Sequence, residues 1–376
     1  MMLRVGRRTS PPFVRRAVPF SISLALVALG CGHTVKSTSG GGGAVSTASS
    51  SGNTSVTAAA TTGDTSASSG SAETGTTTSG SSTAATGTGG GPACGVRTGH
   101  RGLTSRSTMV GSANRTYSVY LPSTLDPTKP LPLVFVFHGY TMSGMAMHDI
   151  TGYDTLADSE GFGVVFPDGE AGPNSLGAPW NVGMNVCPSW FGTPPEATGD
   201  DFGFLDSMRA DVAQDQCVDA AHVFVTGFSM GGYFAHQVGC LRADIRGVAP
   251  HSGGTHDLVG CTAGHKPIII FHGDSDAVIP NGCADPKGTI PAGGMPSALE
   301  WAARNGCDMT TTSTPVMNGT CETFDGCPAD GQVELCTFNG MGHCWAGGAA
   351  NAGSFSCPNY ASATALEWAF WKQYAW

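Results

Sequence analysis

Val223-Phe224-Val225-Thr226-Gly227-Phe228-Ser229-Met230-Gly231-Gly232 is the stretch that decides the fold. Residues 223–226 form a short apolar and β-branched run, the composition of a buried strand. From Ser229 to Cys240 the sequence reads as a helix. The chain must therefore pass from strand to helix within about three residues, and Gly227, Gly231 and Gly232 supply the small neighbours such a turn needs. The turn leaves the Ser229 hydroxyl exposed beyond the carboxyl end of the strand. In a chain with 55 Gly the spacing G-x-S-x-G alone is a weak signal. Its place between strand and helix gives it weight.

Outward from this turn, strands and helices alternate. Residues 116–121 alternate in the manner of an edge strand, and 133–137 form a continuous apolar run bounded by Pro132 and Gly139, as in a buried parallel strand. A helix is expected over 147–159 and a short buried strand over 163–166, ended by Pro167. Residues 201–214 read as a helix with Phe204, Leu205, Met208 and Val212 on one face. Strands are expected at 222–226, 247–249, 268–271 and 333–338, with helices at 297–305 and 361–374. This alternation implies an α/β fold, a mostly parallel central sheet with helices on both faces. Ligand sites in such sheets lie beyond the carboxyl ends of the strands.

A serine hydroxyl is a weak nucleophile at neutral pH and needs a base, which in turn needs a partner to orient it. The segment Ile268-Ile269-Ile270-Phe271-His272-Gly273-Asp274-Ser275-Asp276 runs from a buried strand into a polar loop. Asp276, just past the strand end, is the candidate acid, with Asp274 as its competitor. Gly340-Met341-Gly342-His343 follows another strand and places an imidazole on a glycine-flexed loop. The order Ser229, Asp276, His343 is that of the α/β-hydrolases. The N–H of Met230, at a helix N-terminus, and that of Tyr140, in the turn after Phe137-His138-Gly139, are the candidate oxyanion donors. His138 and His272 also end strands, each before a Gly, and read as shaping the site rather than serving as base.

The remaining composition divides the chain. Arg15 and Arg16 precede an apolar run that ends at Leu29, so residues 1–30 read as a secretory signal peptide. Val27-Ala28-Leu29-Gly30-Cys31 resembles a bacterial lipobox with Cys31 as the lipid acceptor; plain secretion is the alternative. Residues 31–92 are a tether. From 37 to 92 only Val45, Asn53, Val56, Asp64, Glu73 and Pro92 are not Gly, Ser, Thr or Ala, too little apolar surface to offset ordering entropy. Such a coil spans roughly 40 Å. Residues 93–376 are expected to form one domain. It holds 12 basic residues against 26 acidic ones, a net of −14, which argues against nucleic acid or an anionic membrane surface as a partner. No later apolar stretch is long enough to span a bilayer, so a membrane is met only through the N-terminal anchor.

Twelve of the 13 Cys lie in this domain. In an exported chain that number reads as up to six disulfides, with Cys321–Cys327 and Cys344–Cys357 as local guesses. A metal site is not expected. There is no Cys-x-x-Cys or His-Glu-x-x-His, and His251, His256, Cys261 and His265 are unevenly spaced.

Taken as a set, several pieces resemble the secreted polyhydroxybutyrate depolymerase/feruloyl esterase family. They are Arg115-Thr116-Tyr117 with Leu121-Pro122, His138-Gly139, Gly161-Phe162, Phe166-Pro167-Asp168-Gly169 and Trp180-Asn181. Residues 201–205, the stretch from Val225 to Gly232, His272-Gly273 with Asp276 and Pro280, Asn305-Gly306-Cys307 and Gly342-His343-Cys344-Trp345 continue the likeness. The resemblance implies an α/β-hydrolase with Ser229 as nucleophile, Asp276 as acid, His343 as base, and no metal or organic cofactor. It places Trp180 near the substrate cleft, with a core position as the alternative. Cys344 beside His343, and the extra Cys between Cys307 and Cys336, depart from the family pattern. The substrates implied are feruloyl or acetyl esters on plant polysaccharide, or a polyhydroxyalkanoate. The tether leads directly into the catalytic domain without a surface-binding module, which favours the former. A monomer is expected. A non-catalytic, surface-tethered binding protein on the same scaffold is the reading from another class.

Overall fold

The computed structural model describes Cys94 and residues 100–170, 177–182, 199–255, 258–281 and 293–375, all within the unit Thr83–Trp376. The expected signal peptide, the Cys31 acceptor, the tether, Cys187, Cys283 and His256 lie outside the described residues.

In chain order the elements are β1 (Gly102–Val110), β2 (Ala113–Leu121), β3 (Leu131–Phe137), α1 (Gly144–Thr151), α2 (Tyr153–Glu160), β4 (Gly163–Pro167), α3 (Asp201–Asp215), β5 (Val218–Phe228), α4 (Met230–Leu241), β6 (Gly247–His251) and β7 (Ile268–Gly273). Then come α5 (Gly294–Asn305), β8 (Thr311–Val316), β9 (Gly319–Phe324), β10 (Val333–Phe338), β11 (Trp345–Ala346), β12 (Ser356–Cys357) and α6 (Ala363–Ala375). Ten strands form one sheet in the order β1-β2-β4-β3-β5-β6-β7-β10-β9-β8. The run from β4 to β10 is parallel, and an antiparallel hairpin flanks it on each side. β11 and β12 pair separately.

The central strands carry continuous apolar runs because both of their faces are covered. Leu133, Phe135 and Phe137 of β3, Val223 and Val225 of β5, and Ile268 and Ile270 of β7 face one core. There they meet α3 through Leu205 and Met208, α4 through Phe234 and Val238, and α5 through Trp301. The alternate residues Val134, Val136, Phe224, Ile269 and Phe271 face a second core. This one is closed by Met147 and Ile150 of α1, Tyr153 and Ala157 of α2, and Trp368 and Trp371 of α6. The period of two in these strands divides one apolar run between two cores.

Three sequence expectations need correction. The strand expected at 116–121 is not an edge: β2 pairs with β4 on one side and β1 on the other. The helix expected at 147–159 is two helices, because Gly152 takes a left-handed φ of 67° that ends α1 and begins α2. Cys321 bonds Cys336, not Cys327. The two lie directly opposite each other in the antiparallel pair β9–β10, while Cys327, past the end of β9, reaches Cys307. The Cys344–Cys357 pairing is present, as are Cys94–Cys217 and Cys240–Cys261.

Candidate active site

β5 delivers the chain to Ser229 at the carboxyl edge of the sheet, and α4 leaves from the next residue. Ser229 has φ 56° and ψ −117°, a conformation side chains rarely adopt and one held here by its surroundings. A Cβ on Gly227 would collide with the Gly231 carbonyl, and one on Gly231 with the Phe137 carbonyl. The glycines of G-x-S-x-G are thus required by close backbone approach. The Ser229 amide donates to the His251 carbonyl at 2.9 Å, tying the turn to the end of β6.

The loop after β7 and the loop after β10 meet beside this turn. The Ser275 amide donates to the Met341 carbonyl at 3.1 Å, and the Asp274 amide to the Phe338 carbonyl at 3.1 Å. Within this junction His343 Nδ1 lies 2.7 Å from Asp276 Oδ2. The other carboxylate oxygen, Oδ1, accepts from the amides of Val278 and Ile279, both at 2.9 Å. A carboxylate only accepts, so Nδ1 carries the proton and Nε2 keeps its lone pair. The Asp276 side chain has no exposed surface. Burial raises its carboxyl, but the hydrogen bond from His343, with the Ile279 amide, outweighs burial and holds it below the usual carboxylate range. The His343 ring packs 4.7 Å from that of Phe228, the residue before Ser229.

Asp274, the competitor for the acid's place, points elsewhere. Its Oδ1 accepts from the Gly340 amide at 2.7 Å and from the Ser275 hydroxyl at 2.9 Å, bracing the two loops at the surface.

On the opposite side of Ser229, the turn after β3 comes close: a Cβ on Gly139 would lie 3.3 Å from Ser229 Cβ. The Met142 amide closes this turn on the Gly139 carbonyl at 3.0 Å. Tyr140 follows Gly139 in the turn, and Met230 begins α4, where the helix dipole is positive. His138 braces the same turn. Its Nδ1 donates to the Gly139 carbonyl at 2.7 Å and its Nε2 accepts from the Gly169 amide at 2.9 Å. Burial drives its pKa down to about 4, so it stays neutral. Trp180 is a core side chain, 1 % exposed, stacked on Phe234 at 5.4 Å. Its indole donates to the His138 carbonyl at 2.8 Å, so it supports the turn from behind rather than lining an open cleft.

His251, which the sequence offers only as part of a loose His/Cys group, sits among these elements. β3 is followed by a buried histidine, β6 ends in one and β7 carries one at its last position but one: His138, His251 and His272. That repeated strand-to-histidine pattern was the available signal. His272 Nε2 donates to the Ile279 carbonyl at 2.8 Å, shaping the loop that holds Asp276. Among its described members the loose group is dispersed: Cys261 is bonded to Cys240, and His265 lies 3.2 Å from Asp330 at the surface. Cys321, Glu334 and Cys336 lie close together, but the two sulfurs are joined to each other and offer no thiolate.

The Esterase family, described as "Putative esterase", matches residues 108–238. Feruloyl esterase C of Emericella nidulans is 30 % identical over 239 residues, covering 60 % of this chain and 77 % of that protein. Feruloyl esterase B of Piromyces equi is 31 % identical over 243 residues, covering 60 % of this chain and 42 % of its own length. Among solved structures, an acetyl xylan esterase from Aspergillus awamori aligns at a TM-score of 0.46 and 17 % identity, over 64 % of this chain and 94 % of that one.

Proposed function

The chain belongs to the feruloyl esterase family of α/β-hydrolases, and from that premise we propose that it hydrolyses feruloyl or acetyl esters of plant cell-wall polysaccharide by Ser229–His343–Asp276 acyl transfer. The observation that carries the reading is the buried Asp276–His343 pair set beside the strained Ser229 turn.

In the first step His343 Nε2 takes the Ser229 proton as Oγ attacks the ester carbonyl. Asp276 holds the imidazole in the required tautomer and stabilises the imidazolium that forms. The Met230 and Tyr140 amides receive the developing oxyanion. His343 then returns its proton to the departing alcohol, leaving an acyl-Ser229 ester. Water, activated by the same imidazole, attacks this ester and releases the acid, and the proton returns to Ser229. The steps use side chains of one chain, in keeping with a monomer, and no cofactor enters them.

Export fits the five disulfides among the described residues, since such bonds persist in oxidising compartments. With Cys31 as lipid acceptor, the enzyme would be tethered at the cell envelope. Cys31→Ser then moves it from the membrane fraction to the soluble one, and unchanged partitioning rejects the anchor.

The substrate reading is tested by assaying the purified chain on methyl ferulate, acetylated xylan and polyhydroxybutyrate film. Turnover of either of the first two in preference to the film is expected. Turnover of the film alone would replace the substrate class, and no turnover of any ester would reinstate a binding protein.

A further inference from the structure

We propose that His251 is a positioning residue for this reaction, holding Ser229 with its carbonyl and the segment that carries His343 with its imidazole. The assignment rests on the serine esterase reading above.

His251 ends β6, directly opposite Phe228 in the parallel pair β5–β6. Its carbonyl accepts the Ser229 amide at 2.9 Å. Its imidazole Nε2 accepts the Ala346 amide at 3.0 Å. Ala346 stands three residues after His343, in the short strand β11. One residue thus grips both the nucleophile's backbone and the strand that follows the base. The ring stacks on Trp345 at 4.8 Å and on Phe271 at 5.7 Å, and meets Phe228 edge-on at 5.8 Å. Phe228 in turn packs on His343. The chain of contacts from His251 to the base is therefore continuous.

Stacking alone would accept Phe at this position. What requires histidine is the acceptor, because Ala346 is fully buried and its amide would otherwise lose its partner. The Ser252 hydroxyl lies 3.1 Å from Nδ1 and can take that proton, leaving Nε2 free to accept. Burial, with His272 and His343 nearby, keeps the ring neutral, as this bond demands.

His251→Phe fills the space but removes the acceptor, and His251→Gln can restore an acceptor near Nε2. Both are measured by kcat and KM on p-nitrophenyl acetate, alone and in a His343→Ala background. The expectation for His251→Phe is a fall in kcat on the order of 100-fold, with KM within about twofold. His251→Gln recovers much of that loss, and His251→Phe adds no further loss once His343 is gone. A full kcat in His251→Phe overturns the assignment, and so does an equal further loss in the His343→Ala background, the behaviour of a merely structural residue. Should His251→Phe not fold, Ser252→Ala leaves the ring in place but frees its tautomer. A several-fold fall in kcat at constant KM is then expected, and unchanged kcat overturns the assignment. Full activity in His343→Ala itself would instead remove the esterase mechanism beneath it.

Discussion

Asp274 and Asp276 lie two residues apart in the same loop and have the same chemistry, yet their surroundings separate them. Asp276 is buried, takes two amides on Oδ1 and leaves Oδ2 for His343. Asp274 spends its carboxylate on Gly340 and Ser275 at the surface. Asp276→Asn should therefore lower kcat by about 10³- to 10⁴-fold with little change in KM, because the imidazole loses its tautomer and its counter-charge. Asp274→Asn should cost no more than a few-fold. A steady-state assay of the two variants on one soluble ester checks this, and comparable losses would contradict the assignment. The sequence favoured Asp276 because it stands beyond the strand end, and Ser229 and His343 were legible for the same reason. His251 shares that strand-end position, but its role was not legible, since it depends on a contact between residues 95 apart in sequence.

At the scale of elements, the parallel strands were legible because apolar runs bounded by Gly or Pro have few other readings. The β1 hairpin was not. Gly102–Val110 alternates in exposure, but Ser and Thr hold four of its nine positions, Arg106 a fifth, and no hydrophobic period results. β8, rich in Thr and largely exposed, was hidden in the same way, and β9 with it. Neither hairpin was foreseen, and with them went the true partner of Cys321. The Cys344–Cys357 bond joins the residue between His343 and β11 to the end of β12. It should act on this loop as well as on global stability. Replacing both Cys by Ser is expected to cost about 3 kcal/mol on the loop-entropy account and to lower kcat more than other disulfide deletions of equal stability cost. Thermal melts and kcat measured beside Cys240→Ser/Cys261→Ser decide it; equal kcat in the two would confine the bond to stability.

Across the whole molecule, one buried acid joins the C-terminal helix to the nucleophile's strand. Glu367 of α6 is fully buried. The Tyr153 hydroxyl donates to its Oε2. Thr226 of β5 has a single hydroxyl proton, which goes to the Ala249 carbonyl at 2.6 Å. The 3.1 Å contact between Thr226 and Glu367 Oε1 then needs its proton from Glu367, which is therefore a neutral carboxylic acid. Burial raises its pKa well above the ordinary value. The sign of the linkage follows: the stability this group supplies is complete below the unfolded carboxyl range near about pH 4 and is lost as pH climbs toward the raised folded value. Glu367→Gln keeps a donor toward Thr226 and an acceptor for Tyr153 without a titrating proton. Its Tm should gain on that of the wild type steadily from pH 5 to pH 9, and parallel Tm curves would refute a neutral Glu367.

The proposed reaction requires Ser229 to be the residue that carries the acyl group. The direct measurement is mass spectrometry of the enzyme after reaction with a fluorophosphonate, in which Ser229 would displace fluoride and form a stable phosphonyl ester. One adduct on the peptide containing Ser229 is predicted, absent from Ser229→Ala and greatly slowed in Asp276→Asn. Stoichiometric labelling of any other residue, or labelling that survives Ser229→Ala at the wild-type rate, would contradict it.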